Sequence, residues 1–237
     1  PLKEHLTDIS NLVVAEKADL GIVVDPDVDR LAFISEDGEM FGEEYTLVAV
    51  ADYVLSKTPG NTVSNMSSSR ALRDVTNKHN GTYEASAVGE VNVVELMKKN
   101  NAVIGGEGNG GIIYPTSHYG RDSMVGIALF LTHLANKKMK VSELRASYPE
   151  YYMSKNKIEL TPQIDVDAIL EAMTDRYQAD EIQTIDGVKI DFADNWVHLR
   201  KSNTEPIIRI YTEAATQQIA DDLAQKIINE IKVIAGI

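Results

Sequence analysis

The chain has 237 residues, 43% of them hydrophobic, and a formal net charge of −13. That is enough apolar material for one large domain or two to three small ones, and it is too acidic for non-specific binding to nucleic acid or an anionic membrane, which needs a basic face. The absence of cysteine excludes disulfides and thiolate metal sites and fits a cytoplasmic protein. No apolar run approaches the roughly 18 residues of a membrane-spanning helix. The opening Pro1-Leu2-Lys3-Glu4-His5 is neither a signal peptide nor a translation start, so part of a longer polypeptide is expected.

In chain order, Leu6, Ile9 and Val13 carry a helical spacing, and Leu20-Gly21-Ile22-Val23-Val24 reads as a buried strand. Leu31 to Ile34 reads as a second strand, followed by a turn at Glu36-Asp37-Gly38-Glu39. Helices are expected over Tyr45 to Leu55, Ser69 to Lys78 with Ser69 as cap, Val91 to Lys99 and Met124 to Ala135, with strands over Asn61 to Asn65 and Ala102 to Ile104. This alternation predicts an α/β fold, with mixed sheets covered by helices. After a boundary around Ser147 to Lys155 the pattern changes. Strands over Lys157 to Leu160, Gly187 to Phe192, Trp196 to Leu199 and Ile207 to Thr212 are flanked by helices over Val166 to Tyr177 and Thr216 to Ile234. The last helix carries the stripe Ile219, Leu223, Ile227 and Ile231. A small C-terminal α+β domain is expected, with Trp196 in its core.

Four short patterns carry chemistry. Asp25-Pro26-Asp27-Val28-Asp29-Arg30 follows a strand directly, at the carboxyl end where open α/β sheets place ligands. Its three carboxylates repel one another unless a cation or arginine lies among them, and they converge on a hard divalent ion only if the backbone curls. Val28 is β-branched, so ordinary negative-φ backbone is expected there. Val88-Gly89-Glu90 and Gly105-Gly106-Glu107-Gly108-Asn109-Gly110-Gly111 come next. The fourth, Arg200-Lys201-Ser202-Asn203-Thr204-Glu205-Pro206 followed by Arg209, offers a guanidinium fork, hydroxyls, an amide and backbone N–H groups, all suited to a phosphate. A surface turn with a Glu205–Arg209 ion pair is the plainer alternative. Arg121 and Asp122 are expected to form a local ion pair capping the helix at Met124, with a ligand contact the alternative, and His118 and His133 to be satisfied surface or core groups.

Taken in this order and spacing, the four patterns resemble the α-D-phosphohexomutase family, which includes phosphoglucomutase, phosphomannomutase and phosphoglucosamine mutase. The resemblance implies that residues 1–37 end the family's second domain and carry its metal loop. Residues 38–150 would then form the third, sugar-binding domain, and 151–237 the fourth, phosphate-binding domain. It implies an intramolecular phosphotransferase interconverting hexose 1-phosphate and 6-phosphate through a phosphoserine and a bisphosphorylated sugar, with mannose or glucose phosphate favoured and glucosamine phosphate the nearest rival. Asp25, Asp27 and Asp29 would hold Mg²⁺. Arg30 would add positive charge beside the transferring phosphate. Glu107 and Asn109 would contact sugar hydroxyls, and Arg200, Ser202, Asn203 and Thr204 would grip the phosphate that is not transferred. The family's Thr-Ala-Ser-His-Asn-Pro-type serine loop is absent, and Thr116-Ser117-His118-Tyr119 is only an echo of it. The missing N-terminal domains are thus expected partners, and this chain alone is expected to bind sugar phosphate without turnover. Where some members carry a histidine this sequence has Glu90 and Gly111, so Glu90 becomes the candidate acid/base.

Two rival motifs remain. An EF-hand counted from Asp25 reaches Glu36 at its twelfth place, but its sixth is Arg30 rather than Gly and its flanks read as strands. A haloacid-dehalogenase-like phosphatase also opens on a strand and Asp-x-Asp, but the lysine and later acidic pair it needs are not evident. A non-catalytic module binding Mg²⁺ and sugar phosphate is the further alternative.

Overall fold

The computed structural model describes residues 5–159, 164–202 and 207–236. They form two compact units, Pro1–Pro149 and Glu150–Ile237. The first runs α1 (Thr7–Ala15), β1 (Leu20–Val24), β2 (Leu31–Ser35), α2 (Glu43–Lys57), β3 (Asn61–Asn65), α3 (Ala71–Lys78), β4 (Tyr83–Ser86), α4 (Glu90–Lys99), β5 (Ala102–Glu107), β6 (Gly111–Ile113), α5 (Ser123–Lys137) and α6 (Val141–Ala146).

Strands β1 and β2 form an antiparallel hairpin in which Val24 faces Leu31, so the aspartate loop is the hairpin connection. Helix α1 covers one side through Val13, packed with Leu6, Ala32 and Ile34. The hairpin is anchored by aromatic packing. Phe33 of β2 stacks on Phe130 of α5 with centroids 3.8 Å apart, and Phe41 meets both edge-on. All three rings are fully buried, each contributing the large apolar area that aromatic side chains bring to a core.

The second sheet has the order β4-β3-β5-β6. Strands β3, β4 and β5 are parallel, and β6 turns back antiparallel on β5. The crossovers β3–α3–β4 and β4–α4–β5 travel in opposite directions across the sheet, so right-handed connection puts α3 and α4 on opposite faces. Helix α4 contributes Val93 and Met97 to a cluster with Val63, Ala102 and Ile113. Helix α2 packs against α3 and α5. The carboxyl ends of the three parallel strands, at Asn65, Ser86 and Glu107, therefore open on the same edge. Helix α3 begins one residue later than the pattern implies: Arg70 is its N-cap, and the Ser69 hydroxyl accepts the Ala71 N–H at 3.1 Å.

The second unit contains β7 (Tyr152–Glu159), α7 (Val166–Arg176), β8 (Glu181–Gln183), β9 (Val188–Asp191), β10 (Trp196–Lys201), β11 (Ile207–Ala214) and α8 (Gln217–Ala235). Its five-stranded sheet has the order β7-β11-β10-β9-β8, antiparallel throughout. Side chains from α7 and α8 pack on Ile158, Val188, Ile190, Val197, Leu199, Ile208 and Ile210 on one face. One expectation changes here. The buried stripe of α8 is Ala220, Ala224, Ile227 and Ile231, while Ile219 is 46% exposed, because Ile219 lies in the first turn beside the Thr216 cap that accepts its N–H. Trp196 is fully buried but alternates with Val197, so it lies on the face away from that cluster, where its indole N–H donates to Glu213 Oε1 at 2.8 Å.

Candidate functional site

The aspartate loop curls back on its own backbone. Asp25 Oδ1 accepts the N–H groups of Asp29 at 3.2 Å and Arg30 at 3.1 Å, and the Val28 N–H reaches the Asp25 carbonyl at 3.0 Å. Closing this curl puts Val28 at φ +57°, contrary to the negative-φ expectation. The left-handed region costs an L residue about 1–2 kcal/mol, and the arrangement is held by the Ser123 hydroxyl, which donates to the Val28 carbonyl at 2.7 Å. Strain kept at a loop of this kind is a mark of functional sites.

The three aspartates differ. Burial raises the Asp25 carboxyl's pKa, but the Arg30 and Asp29 N–H groups outweigh it and leave the group below its usual range. Arg30 Nε stands 3.8 Å from Asp25 Oδ2. Asp27 is exposed. Asp29 pairs through Oδ2 with Arg121 Nη2, while its Oδ1 is buried with no hydrogen-bond partner. Burial, helped by the Asp25 charge, holds Asp29 above the usual carboxylate range despite Arg121. Among the described residues no three acidic or imidazole groups stand together as a ready-made metal cage, so a cation would have to draw the aspartates in. The donor set still fits a hard divalent ion: carboxylate oxygens alone, on a hairpin loop, one of them buried and unsatisfied.

The glycine-rich segment is the β5–β6 hairpin, with Glu107 opposite Gly111. Its tip is pinned beside the aspartate loop, because the Gly110 carbonyl accepts the Leu31 N–H at 3.1 Å. Gly110 has φ +86°, and a Cβ there would lie 2.1 Å from the Leu31 carbonyl. Only glycine allows this approach. Glu107 is 5% exposed and accepts Asn65 Nδ2 on Oε1 and Arg121 Nη1 on Oε2, both at 3.0 Å. Asn109 Oδ1 accepts the Gly111 N–H at 3.1 Å, which holds the turn. Glu90 is the first residue of α4 after Gly89. Its Oε1 accepts the Arg121 N–H at 2.9 Å and its Oε2 lies 3.3 Å from Arg121 Nε.

Asp29, Glu90 and Glu107 are therefore brought together around one residue that the sequence reading placed elsewhere. Arg121 does not pair with Asp122. Asp122 caps α5 by accepting the Val125 N–H at 3.0 Å and meets His118 Nε2 at 2.9 Å. Arg121, immediately before that cap, points the other way into the three carboxylates. Its partners are remote in sequence, so no local pattern marks it.

In the second unit Arg200 lies in β10 with Nη1 3.7 Å from Asp186 Oδ2. The Ser202 N–H donates to the Ile207 carbonyl at 3.0 Å. Asn203 and Thr204 lie outside the described residues. Arg209 of β11 is directly opposite Arg200, and Lys157 of β7 directly opposite Arg209. Cations in register across neighbouring strands repel, and here Asp186 lies near Arg200 while Lys157 Nζ pairs with Glu159 Oε1 at 3.1 Å.

The first unit is thus an α/β layer with a polar cluster at its parallel strand ends, and the second an antiparallel α+β unit carrying a row of basic residues. Residues 42–152 match the family model for phosphoglucomutase/phosphomannomutase, alpha/beta/alpha domain III, and residues 156–230 match that for the C-terminal domain. The chain is 34% identical over 239 residues to the phosphoglucosamine/phosphogalactosamine mutase of Sulfurisphaera tokodaii, covering 99% of this chain and 52% of that protein. It is 36% identical over 223 residues to the phosphoglucomutase/phosphomannomutase of Thermococcus kodakarensis, covering 93% and 48%. Among solved structures, a phosphoglucomutase/phosphomannomutase family protein from Burkholderia thailandensis superposes with a TM-score of 0.80 at 23% identity, over 97% of this chain and 50% of that one. The N-acetylphosphoglucosamine mutase of Aspergillus fumigatus, solved with GlcNAc-6P and magnesium, does so with 0.67 at 16%, over 90% and 48%. The chain belongs to the α-D-phosphohexomutase family, and it spans about half the length of the curated relatives it matches. No helix among the described residues is long and apolar enough to cross a membrane.

Proposed function

We propose that this chain supplies the cation, sugar and phosphate loops of a phosphohexomutase that interconverts hexose 1-phosphate and 6-phosphate, with glucose or mannose phosphate as substrate. The observation that carries the reading is the gathering of Asp29, Glu90 and Glu107 around Arg121 at the carboxyl ends of parallel strands, where α/β sheets bind ligands. Asp25, Asp27 and Asp29 would hold Mg²⁺. When bound, that ion neutralises charge on a transferring phosphoryl group. Arg30, with its side chain 45% exposed, is free to reach an incoming phosphate. Glu107 keeps acceptor capacity beyond its two partners for sugar hydroxyls, and Asn109 holds the loop's shape. Glu90 is the candidate acid/base. Arg200 and Ser202, joined by Asn203 and Thr204, would hold the second phosphate. The opposed pair Arg200 and Arg209 adds Arg209 to that set, since a dianion between two guanidinium groups relieves their repulsion.

A second reading, phosphoglucosamine mutase, is favoured by the relative that matches 99% of this chain. The carboxylates around Arg121 also suit an amino-sugar ammonium. The test is ³¹P NMR of the 237-residue chain with Mg²⁺ and glucose, mannose or glucosamine 6-phosphate. Line broadening on one sugar phosphate, with neither isomerisation nor phosphate release, is expected, since the sequence contains no Thr-Ala-Ser-His-Asn-Pro-type loop. Release of inorganic phosphate would mean a phosphatase and would overturn the reading.

A further inference from the structure

Arg121 holds the carboxylate cluster together, but the chemistry above gives Arg121 itself no role. Resting on the cation-dependent reading, we infer that Arg121 is a positioning residue that couples the cation loop to the sugar loop, holding Asp29 beside Glu107 and Glu90 and yielding Asp29 to an incoming divalent cation.

The guanidinium presents Nη2 to Asp29, Nη1 to Glu107 at 3.0 Å and Nε to Glu90 at 3.3 Å. One planar fork thus reaches three elements: the β1–β2 loop, the end of β5 and the start of α4. Lysine, a point charge on a flexible stem, cannot reproduce that geometry. The cluster is short of positive charge, with three carboxylates against one guanidinium. The deficit is visible in Asp29 Oδ1, a buried carboxylate oxygen without a hydrogen bond. Asp29 is also the one loop aspartate whose side chain touches a residue outside the loop, among the described residues: Asp25 turns to Asp29 and Arg30, and Asp27 is exposed.

A divalent cation drawn to Asp29 Oδ1 meets a carboxylate already paired with a guanidinium. Two cations on one carboxylate repel, so the Asp29–Arg121 pair loosens while the contacts to Glu107 and Glu90 remain. Binding at the aspartate loop is thereby reported to Glu107, and through it to the β5–β6 hairpin.

The test uses the 237-residue chain in three forms: wild type, Arg121→Gln and Arg121→Lys. Mn²⁺ affinity is read from the loss of the free-ion paramagnetic resonance signal. Coupling is read from Mg²⁺-induced shifts of the Glu107–Gly111 amides in ¹⁵N spectra. Arg121→Gln should bind Mn²⁺ roughly three- to tenfold tighter, because one opposing charge is gone, and should lose the Glu107–Gly111 response. Arg121→Lys, which keeps the charge, should bind within about twofold of wild type and also lose the response, so it decides the matter if the Gln variant fails to fold. Unchanged or weaker Mn²⁺ binding in Arg121→Gln, or a response that persists in either variant, overturns the inference while leaving the cation site standing. No Mn²⁺ binding by wild type removes the cation reading itself and the inference with it.

Discussion

Gly110 and Gly38 form a matched pair that tests how the sugar loop is held against the aspartate loop. Both are in the first unit and they have nearly the same φ, +86° and +85°. They differ in what a Cβ would meet. At Gly38 the nearest atom is the Val14 Cγ2 methyl at 2.9 Å, on a side chain 51% exposed that can turn aside. At Gly110 it is the Leu31 carbonyl oxygen at 2.1 Å, part of a paired strand. Gly38→Ala should therefore cost little more than the left-handed conformation itself, about 1–2 kcal/mol. Gly110→Ala should add the Leu31 N–H bond, worth about 0.5–1.5 kcal/mol net, and the strain of moving a backbone by about 1 Å, for a total of about 3–4 kcal/mol. Hydrogen exchange of the β2 and β5 amides, read by mass spectrometry, is the suitable assay, because two-unit chains do not unfold in one step. Equal destabilisation by the two substitutions, within about 0.5 kcal/mol, would refute the claim that Leu31 backbone contact dictates glycine at 110.

Two further predictions concern pH. Burial pushes the His198 imidazole down to about 4 from 6.5, reinforced by the charges of Lys189 and Arg200, while its Nε2 lies 2.7 Å from the Asp186 carbonyl. The unfolded chain takes up that proton first, so stability is whole above about 6.5 and falls as pH drops toward 4. At pH 5 the loss should be about 2 kcal/mol relative to pH 7, seen in urea unfolding followed by Trp196 fluorescence and absent from His198→Gln. Asp52, 3% exposed on α2, meets His79 Nε2 at 2.7 Å, Tyr148 Oη at 3.3 Å, Lys78 Nζ at 3.4 Å and His133 Nε2 at 3.3 Å. Burial raises its pKa, but hydrogen bonds from His133 and His79 outweigh this and leave it well below the usual range. Its contribution is full above 3.8 and fades as pH falls below that. Asp52→Asn should cost the first unit about 3–5 kcal/mol at pH 7, with a narrower gap at pH 3, measured by hydrogen exchange or thermal melting.

Most of the architecture could be read from apolar runs, because Leu20–Val24, Tyr45–Leu55 and Ile207–Thr212 each announce their period within a few residues. Two of the strands that escaped are short and polar. Tyr83–Ser86 and Glu181–Gln183 exist only because a neighbouring strand supplies their hydrogen bonds, and the one-turn-plus helix Val141–Ala146 is too brief to show a stripe. The same limit governs the site. Asp25 to Arg30 and Gly105 to Gly111 are contiguous and could be recognised, whereas Arg121 acquires its meaning from residues 29, 90 and 107, which only the folded sheet brings near. Val28 shows the reverse: its side chain forecast ordinary backbone, and hydrogen bonds from Ser123 and to Asp25 overrode that preference.

The most direct test of the central claim is ¹⁵N chemical-shift mapping of the chain, first with Mg²⁺ and then with glucose 6-phosphate. Mg²⁺ should move the amides of residues 25–30, and the sugar phosphate should then move those of residues 107–111 and of Arg200, Ser202 and Arg209. Shifts confined to another surface, such as the groove lined by Lys17, Leu134 and Lys140, would contradict that claim.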